Sequence, residues 1–344
     1  MSAEQPVPYL PPVHRAFLRA TAAAEKEMGF LVAQDVMFEE EYITTLLCSR
    51  LVPEVTYVKF SKKQESQVGG DYLWWWVDRG GEAFGCLVQA KVIHRKGRGW
   101  KIGFHHETRT GLQMDQLLAS SDYFEVPAAY TFYVGDDAYR STMKCSKRHQ
   151  VVSCHQRQGA GVTILPALNA QRTVENAKLR ATAPPSKLPF LGGFDPIEDV
   201  FHHAEPLSRL TAPGLANDDP AFIRYYRMRL GQGMNGLREL LTPGQIGARK
   251  VARFMTDKLA QQAAGAFETA VLPDVHVDQT EVGGRVFDTL PGARGHFGRS
   301  FFEHVLRGLR TGLPDYVEAA LRNPADGVPA QLAEHVDGLV VVYL

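Results

Sequence analysis

The chain is poor in cysteine, in long apolar runs and in net charge, and each shortage excludes something. Four cysteines among 344 residues cannot staple a disulfide scaffold, and they fit a reducing cytoplasm. No apolar run approaches the ~18–20 residues of a membrane helix; the longest strongly apolar stretch is 339–344, so no membrane association is expected. The opening MSAEQPVPYLPP has neither a basic n-region nor an apolar h-region, so no secretory signal is expected. Lys+Arg 38 cancel Asp+Glu 38, unlike a protein that coats nucleic acid over its whole surface, although a local basic patch stays possible. There is no fixed-period repeat, no low-complexity segment and no Walker-type phosphate loop.

What is present is a globular composition, 44% hydrophobic and 22% charged. After a proline-rich leader, residues 13–29 read as an Ala- and Glu-rich helix. Residues 39–51 read as a second, with Ile43, Leu46, Leu47 and Leu51 at helical spacing and acids crowding its first turn. Three strand-like runs follow at 55–60, 72–77 and 86–93, the last two joined by the turn signal Asp78-Arg79-Gly80-Gly81 and so expected as an antiparallel hairpin. A helix over 110–120 and strands over 129–134 and from 162 complete a mixed α/β layer. Beyond a Pro- and Gly-punctuated stretch at 183–193, helices are expected over 220–241, 248–264, 300–310 and 315–322, with a buried terminal strand at 339–344. The reading divides the chain into a leader and helix (1–34), an α/β unit (35–180) and a mainly helical C-terminal region (195–344).

The chemistry concentrates in Gly69-Gly70-Asp71 ahead of the Trp run, and in Gln89-Ala90-Lys91 beyond the hairpin turn. Residues two apart in a strand share a face, so Gln89 and Lys91 point one way while Val88, Ala90 and Val92 point the other. Two polar side chains in so apolar a strand are costly if buried without partners. Hairpin pairing can bring Asp71 to the same face, although the sequence leaves the register open. A carboxylate, an amide oxygen and a lysine together suit metal-assisted phosphodiester hydrolysis: Mg²⁺ prefers hard oxygens and takes only one or two carboxylates.

This pattern resembles the PD-(D/E)xK, or restriction-endonuclease-like, nuclease superfamily, in the Gln-x-Lys form of Mrr-type restriction nucleases. More closely, Glu40-Glu41-Tyr42-Ile43-Thr44, Gly69-Gly70-Asp71 with the Trp run, Gln89-Ala90-Lys91 and Gly111-Leu112-Gln113-Met114-Asp115 look like an uncharacterised bacterial family predicted to share that fold. That family's pattern is E-x-x-T, G-A-D-x-x-W-W, Q-A-K and G-x-Q-x-D; here Gly70 replaces its usual Ala. The resemblance covers residues 35–135 and implies a restriction-endonuclease-like core, a mixed central sheet flanked by helices, with a helix-rich C-terminal half. It implies Asp71 as a Mg²⁺- or Mn²⁺-binding carboxylate, Gln89 as a neutral ligand, Lys91 as the catalytic lysine and Glu41 as the helix acid, with Glu40 a rival. Gln113 becomes a substrate contact or support. Gln89 carries no charge, so one anionic ligand is missing, and Glu65, six residues before Asp71, is the candidate replacement.

The resulting expectation is a cytoplasmic endonuclease acting on double-stranded DNA, possible as a homodimer or with defence-system partner proteins. Basic residues Arg95, Lys96, Arg98 and Lys101, directly after the Lys91 strand, are expected to follow the phosphate backbone. The rival readings are a catalytically silent binding module of the same fold and a toxin-like RNase. Trp74, Trp75 and Trp76 are expected in the core rather than stacking on bases. Cys145, His149 and Cys154 are ligand types that zinc accepts, but the irregular spacing and the adjacency of Cys154 to His155 argue against a structural zinc.

Overall fold

The computed structural model describes residues 10–60, 70–96, 99–103, 107–108, 111–136, 140, 159–171, 204–212, 247–264, 306–322, 329, 332 and 335–344. Pro12 opens helix α1 (Pro12–Ala33), where its missing N–H costs nothing, and the helix buries Ala16, Phe17, Ala20, Ala24 and Met28. Helix α2 (Glu40–Leu51) begins with Glu40 and Glu41 against the positive end of its dipole and packs along α1. Then come β1 (Val55–Lys59), β2 (Tyr72–Val77) and β3 (Glu82–Val92). Two small ribbons, β4 (His94–Lys96) with β5 (Gly99–Lys101) and β6 (Glu107–Thr108) with β7 (Gly111–Leu112), precede α3 (Gln113–Tyr123) and β8 (Ala128–Tyr133). The remaining elements are β9 (Val162–Pro166), β10 (Glu205–Pro206), a 3-10 turn (Leu207–Thr211), α4 (Gly247–Ala264), β11 (Leu309–Thr311), α5 (Asp315–Arg322) and β12 (Gly338–Tyr343).

Eight strands form one mixed sheet in the order β1-β12-β2-β3-β8-β9-β10, with β11 on the start of β3. The β12–β2 and β3–β8 pairs are parallel and the others antiparallel. Strands from 35–180 and from 195–344 therefore share a single sheet. The apolar C-terminal run is not a sheet edge but a central strand between β1 and β2, which explains why it is apolar at successive positions rather than alternating.

The β2–β3 turn follows its sequence signal. Asp78 Oδ1 accepts from Gly80 N–H (2.9 Å) and Glu82 N–H (3.1 Å), and Gly81 takes φ +83°, a conformation natural to glycine. This turn fixes Tyr72 opposite Val88 and Trp74 opposite Cys86. Trp74, Trp75 and Trp76 are buried, with Trp74 and Trp76 stacked at 5.7 Å on one face. Helix α4 packs on β2, β3 and β9, and Arg249 holds Glu82 with a fork of hydrogen bonds (Nη2 to Oε1, 2.5 Å; Nε to Oε2, 2.7 Å).

The helix expected over 300–310 does not run to its end, because Leu309–Thr311 is a strand. β8 covers β3 only from Leu87 onward, so the start of β3 would otherwise leave backbone groups unpaired. β11 fills that gap, pairing Leu309 with Phe84 and Thr311 with Glu82, and tertiary pairing overrides local helix preference. The helix expected over 220–241 lies outside the described residues. Among them, no helix is long and apolar enough to cross a membrane.

Gly338 sits where β1, β12 and β2 crowd together. A Cβ there would stand 2.8 Å from Tyr72 Cδ1 and 2.9 Å from the Val58 carbonyl oxygen, and the latter belongs to a paired strand that has little room to move. Gly338→Ala is expected to destabilise the fold by about 1–3 kcal/mol, the usual cost of overpacking, read as a lower urea midpoint. An unchanged midpoint would contradict this packing.

Candidate active site

At one end of the sheet, the entry of β12 and β2 and the exit of β3 border a cavity of about 470 Å³. It is lined by Glu39, Glu40, Glu41, Asp71, Tyr72, Gln89, Ala90, Lys91, Val92, Gly103, Gln113 and Asp337. Five elements distant in sequence contribute the polar side chains: the start of α2, the residues preceding β2 and β12, the end of β3 and the first turn of α3.

Backbone pairing sets the geometry. Because Tyr72 pairs with Val88, Asp71 lies opposite Gln89, and Asp71 N–H donates to Val88 O (3.1 Å). Asp71 Oδ2 accepts from Ala90 N–H at 2.7 Å. Gly70 lets the chain arrive there: a Cβ would lie 2.6 Å from Leu87 Cδ1, so the usual Ala of the resembling family would need Leu87 to shift. Lys91 Nζ donates to Gln113 Oε1 at 2.6 Å, so the α3 glutamine holds the lysine. Gln89 is 1% exposed and its Oε1 has no hydrogen-bond partner.

Glu40 and Glu41 both reach the cavity but differ in their bonds. Glu40 Oε1 accepts from Val92 N–H at 3.2 Å, next to Lys91, whereas Glu41 forms an ion pair with Lys59 of β1. The acid tied to the Gln89–Lys91 strand is thus Glu40, the rival that the acidic triplet left open. Thr44 donates to Glu40 O (2.9 Å) and bonds Tyr133 Oη (2.8 Å), fixing the first turn of α2 against β8.

Glu65 and Arg98 lie outside the described residues, as do Cys145, His149 and Cys154. Arg95 and Lys96 fall on β4 and Lys101 on β5; this ribbon leaves β3 directly after Ile93, and Gly103, just past it, borders the cavity. Asp337 is the site residue that the sequence reading lacked. The available signal was a repeated local arrangement, since an acid stands one residue ahead of a buried apolar strand in Asp71-Tyr72-Leu73 and in Asp337-Gly338-Leu339.

The electrostatics are lopsided, with Glu39, Glu40, Glu41, Asp71 and Asp337 facing Lys91. Burial pushes the Asp71 carboxyl up to about 7; the Ala90 N–H and Lys91 oppose that, and Asp337 and Glu40 add to it. Burial also lowers the Lys91 amine below its usual value, against the pull of Asp71 and Glu40. Among the described residues, no three His, Cys, Asp or Glu side chains form a ready-made metal cluster. The oxygen donors that could hold a hard cation are instead the Asp71 carboxylate and the unpartnered amide oxygen of Gln89, supplemented by neighbouring acids.

A proton held by folded Asp71 up to about pH 7 is lost from the unfolded chain near 3.8. Its contribution to stability is therefore full below the unfolded value and falls as pH rises through the interval between the two. Without divalent ions, the melting temperature of the wild type should drop more than that of Asp71→Asn between about pH 4 and pH 7. Parallel pH profiles would contradict the burial of this carboxylate.

No curated protein and no solved structure matches the chain. Residues 14–336, spanning nearly all of α1, the other helices, every strand of the sheet except β12 and every lining residue of the cavity except Asp337, match the family of unknown function DUF6615, and the chain belongs to that family.

Proposed function

We propose that the chain is a divalent-metal-dependent endonuclease that hydrolyses phosphodiester bonds of DNA, built on a restriction-endonuclease-like core. The observation that carries this reading is the meeting of Asp71, the unpartnered Gln89 Oε1 and Lys91 in one open cavity. The order of α2, three strands, α3 and a strand parallel to β3 is consistent with it. An acid-rich cavity repels a phosphodiester unless a cation is present, which favours metal-assisted over metal-free chemistry.

The donor set fits Mg²⁺ or Mn²⁺. Asp71 offers a carboxylate and Gln89 a neutral oxygen, with Glu40 beside them from α2. Bound there, the cation would supply charge stabilisation at the phosphate and acidify a water. Lys91, whose amine burial makes easier to deprotonate, orients the attacking water and takes up its proton, while Gln113 Oε1 positions the amine. Gln89, buried in the apolar β3 strand, forms part of the inner wall and turns its amide oxygen to the cation. The basic ribbon residues Arg95, Lys96 and Lys101 are proposed to meet the flanking phosphates of double-stranded DNA.

Plasmid incubated with the full chain and Mg²⁺ or Mn²⁺ should be nicked or linearised. The activity should vanish with chelator and fall by about 10²-fold or more in Lys91→Ala, the scale of a lost proton-transfer group. Cleavage of RNA alone would redirect the substrate. Inertness of the wild type toward both nucleic acids, with DNA binding retained, would replace the enzyme with a binding module.

A further inference from the structure

The amide at Gln89 leaves a metal site one negative charge short of a carboxylate at the same place. The strand order shows where another carboxylate stands. β12 runs parallel to β2 with Gly338 beside Tyr72, so Asp337 lies beside Asp71; β2 runs antiparallel to β3 with Tyr72 opposite Val88, so Asp71 lies opposite Gln89. Asp337, Asp71 and Gln89 therefore occupy one level across three neighbouring strands, spaced by the roughly 4.8 Å between strands, and all three border the cavity. Asp337 N–H donates to Asp71 O (2.8 Å) and Phe60 N–H donates to Asp337 O (2.8 Å), so the backbone fixes this residue on both sides.

We propose that Asp337 is the second carboxylate ligand of the metal site, supplying from β12 the charge that Gln89 does not. The inference rests on the metal-dependent reading above and extends it with a residue outside the motifs of the first half of the chain. Two carboxylates and an amide oxygen make a hard-oxygen set of the kind that Mg²⁺ and Mn²⁺ accept alongside waters. The buried Gln89 Oε1, lacking any protein partner, is the independent sign that this row of oxygens faces a ligand rather than serving the fold. Glu65, the other candidate for the missing charge, lies outside the described residues.

The test is Mn²⁺ affinity of the full chain, read from the free-Mn²⁺ paramagnetic resonance signal, with circular dichroism reporting the fold. Losing even an indirect partner of a bound metal costs about 10–100-fold in affinity, so Asp337→Asn should weaken Mn²⁺ binding by at least about tenfold. Glu39→Gln, which removes a charge from the same cavity, should cost less than about threefold, as for an exposed and screened charge. Restoring a carboxylate in Gln89→Glu/Asp337→Asn should recover part of the lost affinity. Asp337→Asn keeps the size of the side chain and leaves the two backbone bonds in place, so it is expected to fold; should it not, Asp337→Ser carries the comparison, and wild-type affinity there would overturn the proposal. Unchanged affinity in Asp337→Asn, or equal losses in Asp337→Asn and Glu39→Gln, would overturn the ligand role while leaving the nuclease reading intact. A wild-type chain that binds no Mn²⁺ would overturn both.

Discussion

Everything at the candidate site depends on the register of β2 against β3. The Asp78 turn holds Tyr72 opposite Val88, and that single alignment places Asp71 across from Gln89, within reach of the Ala90 amide. A slip of one residue would send Gln89 and Lys91 to the opposite face and leave two polar side chains in apolar packing. Such a slip is opposed on both faces. Trp75 closes over Gly85, whose Cβ would lie 2.6 Å from the indole, and Trp76 packs at 6.3 Å from Phe84. The tryptophans thus act on function through register, by making any other pairing sterically expensive.

A second constraint is electrostatic. Acids gathered from α2, β2 and β12 crowd a cavity whose only lining cation among the described residues is Lys91, itself held by Gln113. Burying carboxylates side by side opposes folding unless protons or cations neutralise them. Asp71 is the clearest case, since it keeps its proton to near neutrality. Binding of a cation would displace that proton, so a site of this kind trades stability for affinity toward a positive ligand. The buried pairs elsewhere, such as Glu205 between Arg209 and Lys258, are satisfied within the chain and show no such excess.

Local pattern carried much of this into the sequence. The span of β2 is legible residue for residue, since six apolar residues, five of them aromatic or β-branched, between an Asp and an Asp-Arg-Gly-Gly turn leave little choice. Asp71, Gln89, Lys91 and Gln113 could be assembled from period-two alternation and hairpin logic, and the structure brings all four to one cavity. Choosing between Glu40 and Glu41 required knowing which neighbour each meets, Val92 N–H or Lys59, and helical spacing alone does not say. Non-local pairing was invisible. The terminal apolar run reads as a strand, but nothing local shows that it threads between β1 and β2, and so the acid ahead of it, Asp337, is not tied by sequence to Asp71. Leu309 and Arg310 read as the end of a helix for the same reason, because their partners lie more than two hundred residues away in β3.

The oxygens of Asp71 and Gln89 are proposed to face a divalent cation at the mouth of the sheet. Crystals of the chain grown or soaked with Mn²⁺ and measured at the manganese absorption edge test this placement most directly. The expected result is an anomalous peak within bonding distance of the Asp71 carboxylate and Gln89 Oε1. A cavity without a peak, or a peak bound elsewhere on the chain, would contradict it.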